Sequence, residues 1–231
     1  MQIYQLKLVL RGISPQIWRR VLVDADTSLA DLHQIFQIAM GWQDQHLHRF
    51  RIHGKHFGIT YPGGIVFRDD PNQVRLSQFR LRPGERFLYE YDFAERWRLD
   101  VRLEAILPAE PQQVYPLCSA GKHACPPEEC GGVEDYLANR HLLEQTQQQD
   151  LEVLTEFTVQ VAQRQPDEPA LGLSEDSEEY TTLVLAAQRT QARAHLTAGS
   201  YERHEINQQL RALPLCCEVS DALSAPGGLH R

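Results

Sequence analysis

Trp97-Arg98-Leu99-Asp100-Val101-Arg102-Leu103-Glu104 alternates apolar and charged side chains without interruption. Successive side chains on a strand point to opposite faces, so this segment is a strand with Trp97, Leu99, Val101 and Leu103 in a core and the charges in solvent. One wet face is the mark of an antiparallel sheet. The segment before it puts Phe87, Tyr89 and Tyr91 on one side, and Phe93-Ala94-Glu95-Arg96 joins the two as a hairpin. An earlier hairpin is legible in the alternation of residues 3–10 (Tyr4, Leu6, Leu8, Leu10) and 17–23, with a turn at Arg11-Gly12-Ile13-Ser14-Pro15. Ser28 then stands three residues before Asp31 in a capping pattern, and Leu29, Leu32, Phe36, Ala39 and Met40 form a helical stripe that stops at Gly41. A hairpin followed by an amphipathic helix thus opens the chain.

Working outward, His46-Leu47-His48-Arg49-Phe50 leads into short strands through Ile52 and around 57–60. Residues 61–72, with Pro-Gly-Gly and Asp69-Asp70, read as a loop, and 74–76 as a short β segment. The stretch 115–132 reads as one rigid loop bounded by glycines, holding Cys118, Cys125, Cys130 and His123. Beyond Gly132 the texture is helical. Tyr136 and Leu137 open one helix, and Leu151, Leu154, Phe157 and Val161 space a second; Tyr180, Leu183, Val184 and Ala187 begin a third, and Ile206, Leu210 and Leu213 a short fourth. Residues 165–178 look like a polar linker, and the chain after Leu215, with Cys216-Cys217, like a loose tail. The expected class is α+β: a mainly antiparallel sheet with a β-grasp-like opening and C-terminal helices packed on one side. The expected division is an α+β domain over 1–145, a helical extension over 146–215 and a flexible tail over 216–231.

Composition is that of a folded globular protein, with 42% hydrophobic and 23% charged residues in 231. No apolar run reaches the roughly 18 residues needed to span a bilayer, and no basic-then-apolar leader opens the chain, so a cytoplasmic protein without membrane contact is expected. The net charge of −8 is unevenly shared: residues 1–105 carry 15 Lys+Arg against 12 Asp+Glu, and residues 106–231 carry 8 against 19. An acidic surface repels polyphosphate, so a nucleic-acid face could lie only in residues 1–105. A protein partner is otherwise the favoured expectation.

Two sets of residues carry possible chemistry. Thiolate and imidazole are the preferred zinc donors, which makes Cys118, His123, Cys125 and Cys130 candidate ligands of a structural zinc clip. Their Cys-x6-Cys and Cys-x4-Cys spacings depart from the short zinc knuckle, and three buried free thiols packed close together are the competing reading. The second set is Trp42, His46, His48, Asp92, Glu95 and Trp97, expected to approach the cysteine loop as a binding surface. His46, His48, Asp92 and Glu95 would also serve a divalent ion that activates water. Against this stand turn chemistry for the carboxylates and core anchoring for the tryptophans.

Ile17-Trp18-Arg19-Arg20, the 29–33 segment, Gly41-Trp42 with His46-Leu47-His48-Arg49-Phe50, Tyr89-Glu90-Tyr91-Asp92-Phe93 with Trp97, and Tyr115-Pro116 through Gly131-Gly132 together resemble the plasmid pRiA4b ORF-3-like family. That resemblance implies an α+β fold and the setting of an insertion-element passenger, with a resolvase-like label on some relatives. Serine-resolvase chemistry needs a nucleophilic serine among arginines, and no such arrangement stands in these residues. Where the family usually reads Asp-Phe-Gly-Asp-x-Trp, this chain has Asp92-Phe93-Ala94-Glu95-Arg96-Trp97; a positive φ at Ala94 would cost roughly 1 kcal/mol. The region 140–200 is also longer than the family pattern. With no catalytic triad and no phosphate loop, the expectation is a non-enzymatic accessory module, the alternatives being a metal-dependent hydrolase or nuclease and a zinc-clipped structural domain.

Overall fold

The alternation at 97–104 becomes the spine of a seven-stranded antiparallel sheet. The computed structural model describes residues 1–60, 64–164, 176–198 and 201–215. In chain order the elements are β1 (Gln2–Leu10), β2 (Trp18–Asp24), α1 (Leu29–Met40), β3 (His48–Ile52), β4 (Lys55–Phe57), β5 (Arg86–Tyr91), β6 (Trp97–Pro108), β7 (Leu117–Lys122), α2 (Gly132–Gln163), α3 (Glu178–Ala198) and α4 (Arg203–Ala212). The strands lie in the order β4-β3-β5-β6-β1-β2-β7. The two longest strands, β1 and β6, pair at its centre, with Leu8 opposite Val101 and a bulge between Gln5 and Leu6.

One face of the sheet is dry. Leu6, Leu8, Leu99, Val101, Leu103, Tyr89 and Phe50 are fully enclosed there. Against this face lies α1, with Leu29, Leu32, Ile35, Phe36 and Ala39 equally buried. Phe36 meets Tyr89 edge-on at 5.3 Å and Phe50 at 6.0 Å, contacts of the kind that add to area burial. The helix begins as its sequence foretells: Ser28 Oγ accepts the Asp31 N–H at 3.0 Å and donates to the Asp31 carboxylate at 2.7 Å. It ends where Gly41 takes φ 78 and returns its N–H to Gln37 and Ile38, a left-handed cap that a side chain would strain.

Compactness divides the chain into Met1–Val133 with the residues from Tyr201 on, and Glu134–Ser200. The expected boundary at 145/146 falls inside α2. In the first unit α4 docks on β7 and α1, and Asn207 stands in for a strand residue: its Oδ1 accepts the Cys118 N–H at 2.7 Å and its Nδ2 donates to the Cys118 carbonyl at 3.0 Å. In the second unit Asp150, fully enclosed, is gripped by Arg189 at 2.5 Å and Arg193 at 2.7 Å, joining α2 to α3.

Several expectations are corrected. The two helices read over 136–161 are one helix of 32 residues. The first part of the cysteine loop is the edge strand β7, and the β segment at 74–76 is a single bridge from Arg75 to Ser28 followed by a 3-10 turn over Leu76–Phe79. The strand around 57–60 ends at Phe57. The tail 216–231, most of the linker 165–178 and residues 61–63 of the loop lie outside the described residues. Among the described residues no helix is long and apolar enough to cross a membrane.

Replacing Asn207 by Ala removes both bonds to the Cys118 main chain and leaves a strand edge unsatisfied. Urea unfolding is expected to show a loss of about 1–3 kcal/mol; an unchanged midpoint would mean that α4 does not stabilise the sheet edge.

Candidate functional site

Polar side chains gather where α1, the loop before β3, and β5 meet. Tyr89 sits on the dry face of β5 with no exposure, so its hydroxyl must find partners inside the protein. Gln37 donates to it at 2.7 Å, and His33 Nδ1 lies 2.7 Å away. The other ring nitrogen, His33 Nε2, is 2.7 Å from Asp44 Oδ1. An amide nitrogen only donates, so Tyr89 Oη accepts from Gln37 and spends its own proton on His33 Nδ1. Neutral His33 therefore carries its proton on Nε2 and gives it to Asp44. Asp44 is held further by Gln34 at 2.8 Å and by its own N–H to Gln37 at 3.2 Å, in a left-handed conformation with φ 58.

His48 extends this cluster. Its ring stacks on His33 at 3.5 Å and 9°, and its Nε2 is buried without a hydrogen-bond partner. Burial, with His33 second, pushes the His48 imidazole down to about 3 although Asp44 pulls the other way. Burial likewise lowers His33. Both imidazoles are thus neutral at physiological pH.

A second layer joins the cysteine stretch to the sheet. Tyr91 Oη donates to Glu128 and accepts the Gln45 N–H at 3.0 Å, and the other Glu128 oxygen accepts the Gln43 N–H at 2.9 Å. Burial and the Glu128 hydrogen bond raise Tyr91 well above the usual phenol range. Trp42 stacks on Tyr91 at 4.9 Å and lies 6.4 Å from Trp97. The Glu95 carboxylate accepts Trp97 Nε1 at 3.0 Å and the Gly131 N–H at 2.8 Å. A Cβ on Gly132, which has φ 79, would stand 2.7 Å from the Glu95 carbonyl, so the approach needs glycine.

Of the six residues expected to form one surface, four are buried and His46 and Glu95 are half-exposed. Trp42 and Trp97 are 6% and 0% exposed and anchor the core, and His48 is buried. Asp92 is a buried turn residue whose Oδ1 accepts the N–H groups of Ala94 and Glu95 at 3.0 and 3.3 Å. His46 Nε2 is 3.7 Å from Asp92 Oδ2 and makes no hydrogen bond. The positive φ values of the turn fall on Asp92 and Arg96, so Ala94 carries no such strain. A cavity of about 140 Å³, lined by Asp44, Gln45, His46, Leu47, His48 and Ile59, opens beside the imidazoles without reaching Asp92 or Glu95.

Among the described residues no three of Cys118, His123, Cys125 and Cys130 bring ligand atoms within 4.8 Å of one another. Cys118 Sγ faces Tyr201 Oη at 3.2 Å, while burial pushes Cys125 well above the ordinary thiol range, with the Arg19 guanidinium opposing and Cys130 adding. Arg19 is itself buried, donating to the carbonyls of Ala39, Trp18 and Lys122. Among the described residues the group with converging donors is His33, Asp44 and His48. Two imidazoles bound in-plane to one zinc at about 2.1 Å hold their ring centres roughly 5 Å apart. Stacked at 3.5 Å, His33 and His48 do not both ligate as they stand.

Sequence reasoning missed His33, Gln37, Asp44 and Glu128. The signal was there for two of them: His33 and Gln37 are four apart beside the apolar stripe of α1, and polar residues at core-facing positions need buried partners.

An antiparallel sheet with a helix on its dry face, locked by buried polar residues, defines an α+β protein of hairpin–helix opening. The chain belongs to the plasmid pRiA4b ORF-3-like protein family, whose profile matches residues 2–168. It is similar to uncharacterized protein y4hQ of Sinorhizobium fredii, 33% identical over 138 residues, which cover 58% of this chain and 69% of that protein. A solved structure, the protein of unknown function MM3350 from Methanosarcina mazei Go1, matches with a TM-score of 0.57 at 38% identity over 62% of this chain and 82% of the other.

The depressed His48 gives stability a defined pH dependence. Unfolded, the imidazole titrates near 6.5; folded, near 3. As pH falls between these values the unfolded chain binds a proton that the folded chain refuses, so stability is lost, and above about 6.5 it is level. The full effect is several kcal/mol at about 1.4 kcal/mol per unit. Urea midpoints measured from pH 7 to 4 should fall and should fall less in His48→Gln; a His48 ring resonance titrating near 6.5 would contradict this.

Proposed function

We propose that the protein is a non-enzymatic binding module, an accessory to the plasmid or mobile-element genes from which its family is described. The observation that supports this most is that the carboxylates gathered at the loops, together with the His33 imidazole, are occupied with holding them. Asp44 fixes the loop before β3, Glu128 and Glu95 clamp the cysteine stretch, and Asp92 shapes a turn. General acid–base work needs a group that reaches a substrate. The cavity beside the histidines, at about 140 Å³, is smaller than the several hundred Å³ of ordinary small-molecule sites.

A metal-dependent hydrolase is the second reading, and the convergence of His33, Asp44 and His48 is what favours it. It would require the stacked imidazoles to part and His33 to give up Asp44 or Tyr89. Zinc and manganese titrations followed by thermal melting separate the two readings. The binding-module reading predicts no shift in melting temperature and no metal retained after desalting; a stoichiometric ion lost on His48→Gln would favour the hydrolase.

A further inference from the structure

The wet face of the sheet carries an arrangement that the fold alone does not require. Directly opposed residues share a face, and the registers Arg86↔Arg102, Arg102↔Lys7 and Lys7↔Arg20 set four cations in one row across β5, β6, β1 and β2. Like charges directly opposite one another destabilise a sheet. Among the described residues Arg20 in this row pairs with Glu104 at 2.6 Å, and Lys7 also acts on that carboxylate. Arg86 and Arg102 are exposed and enter no ion pair among the described residues, and Lys7 lies over the Trp18 ring at 4.8 Å. Elsewhere on this face Arg49 and Arg98 share Glu90, Arg11 takes Asp100, and Arg51 is exposed without a carboxylate. Cations therefore exceed carboxylates, although the chain as a whole is −8.

Aromatic rings interleave with these cations. Trp18 is half-exposed between Lys7 and Arg20, and Phe93 is half-exposed under the Arg49 guanidinium at 5.3 Å. Flat aromatic platforms beside cations are what unpaired bases and their phosphates recognise together. Four strands about 4.8 Å apart make a cationic row roughly 14 Å long. That length matches about five phosphates of a stacked strand, four intervals of roughly 3.4 Å.

We infer that the open sheet face, centred on Arg86, Arg102, Lys7 and Trp18, binds single-stranded nucleic acid. The inference rests on the binding-module reading and gives that module its partner. Every residue invoked lies within 1–105, the portion whose charge permits such a partner. A duplex would meet the same cations but keeps its bases stacked inside, out of reach of Trp18.

The test uses the full chain and fluorescent oligothymidylate and oligouridylate, with a duplex of matched length and polyglutamate as competitors. Expected are saturable binding to the single strands, a slope of log K against log salt of about −2 to −3, and weaker duplex binding. Arg86→Gln with Arg102→Gln should weaken binding at least tenfold and reduce the slope by about 1 while leaving thermal stability equal or higher, since a repulsion is removed. Trp18→Ala should weaken binding about tenfold with the slope retained. Arg211→Glu, on α4, serves as the control and should leave binding unchanged. No binding to either oligonucleotide at low salt, equal or tighter duplex binding, or affinity indifferent to Arg86 and Arg102 would overturn the inference. Binding of polyglutamate alone would overturn it while sparing the binding-module reading, whereas turnover of either oligonucleotide would overturn that reading as well.

Discussion

The hydroxyl of Tyr89 is the constraint around which the loops are arranged. A phenol enclosed between sheet and helix leaves a polar group that costs about 1–3 kcal/mol if unmatched. Gln37 and His33 match it, and each then has a second end to satisfy. Gln37 turns to the Asp44 N–H and His33 to the Asp44 carboxylate, so one buried hydroxyl on β5 fixes the loop that precedes β3. His48 closes the cluster by stacking on His33. Networks of this kind are rigid when complete and costly when any member is lost, which accounts for polar residues amid an aromatic core without assigning them chemistry.

A division of labour between the two faces of the sheet follows. The dry face uses its polar groups internally. The wet face has charges that the structure leaves partly unspent, and its registers oppose like with like. At one edge β7 is covered by α4 through Asn207, a side-chain amide that imitates a neighbouring strand and blunts an edge open to other chains. At the other edge β4 is only three residues long, the short edge strand that proteins commonly use for the same purpose.

The sequence made the architecture legible wherever period and capping agreed. Trp97 to Glu104 announces a two-faced strand, and Ser28 and Gly41 bracket α1 to within a residue. β7 was hidden because Leu117-Cys118-Ser119-Ala120-Gly121-Lys122 has no apolar alternation; it is a strand by pairing with β2, which no local pattern reports. α2 looked like two helices because its glutamine-rich middle is polar on all sides, and the arginines of α3 that meet Asp150 there lie far along the chain. Site legibility was narrower. Trp42, His46, His48, Asp92, Glu95 and Trp97 stood out by residue type, but whether a side chain faces solvent or supports a loop is decided by three-dimensional packing. His33 could be read as a polar residue on the core side of α1, but its partners Asp44 and Tyr89 belong to other segments, which spacing along the chain does not reveal.

The central claim is that Tyr89, His33 and Asp44 act as one hydrogen-bonded unit across sheet, helix and loop. A double-mutant cycle between Tyr89→Phe and Asp44→Ala tests it most directly, because His33 is the residue that links those two side chains through hydrogen bonds. The account predicts a coupling of at least about 0.5 kcal/mol in unfolding free energy. Strict additivity of the two substitutions would contradict it.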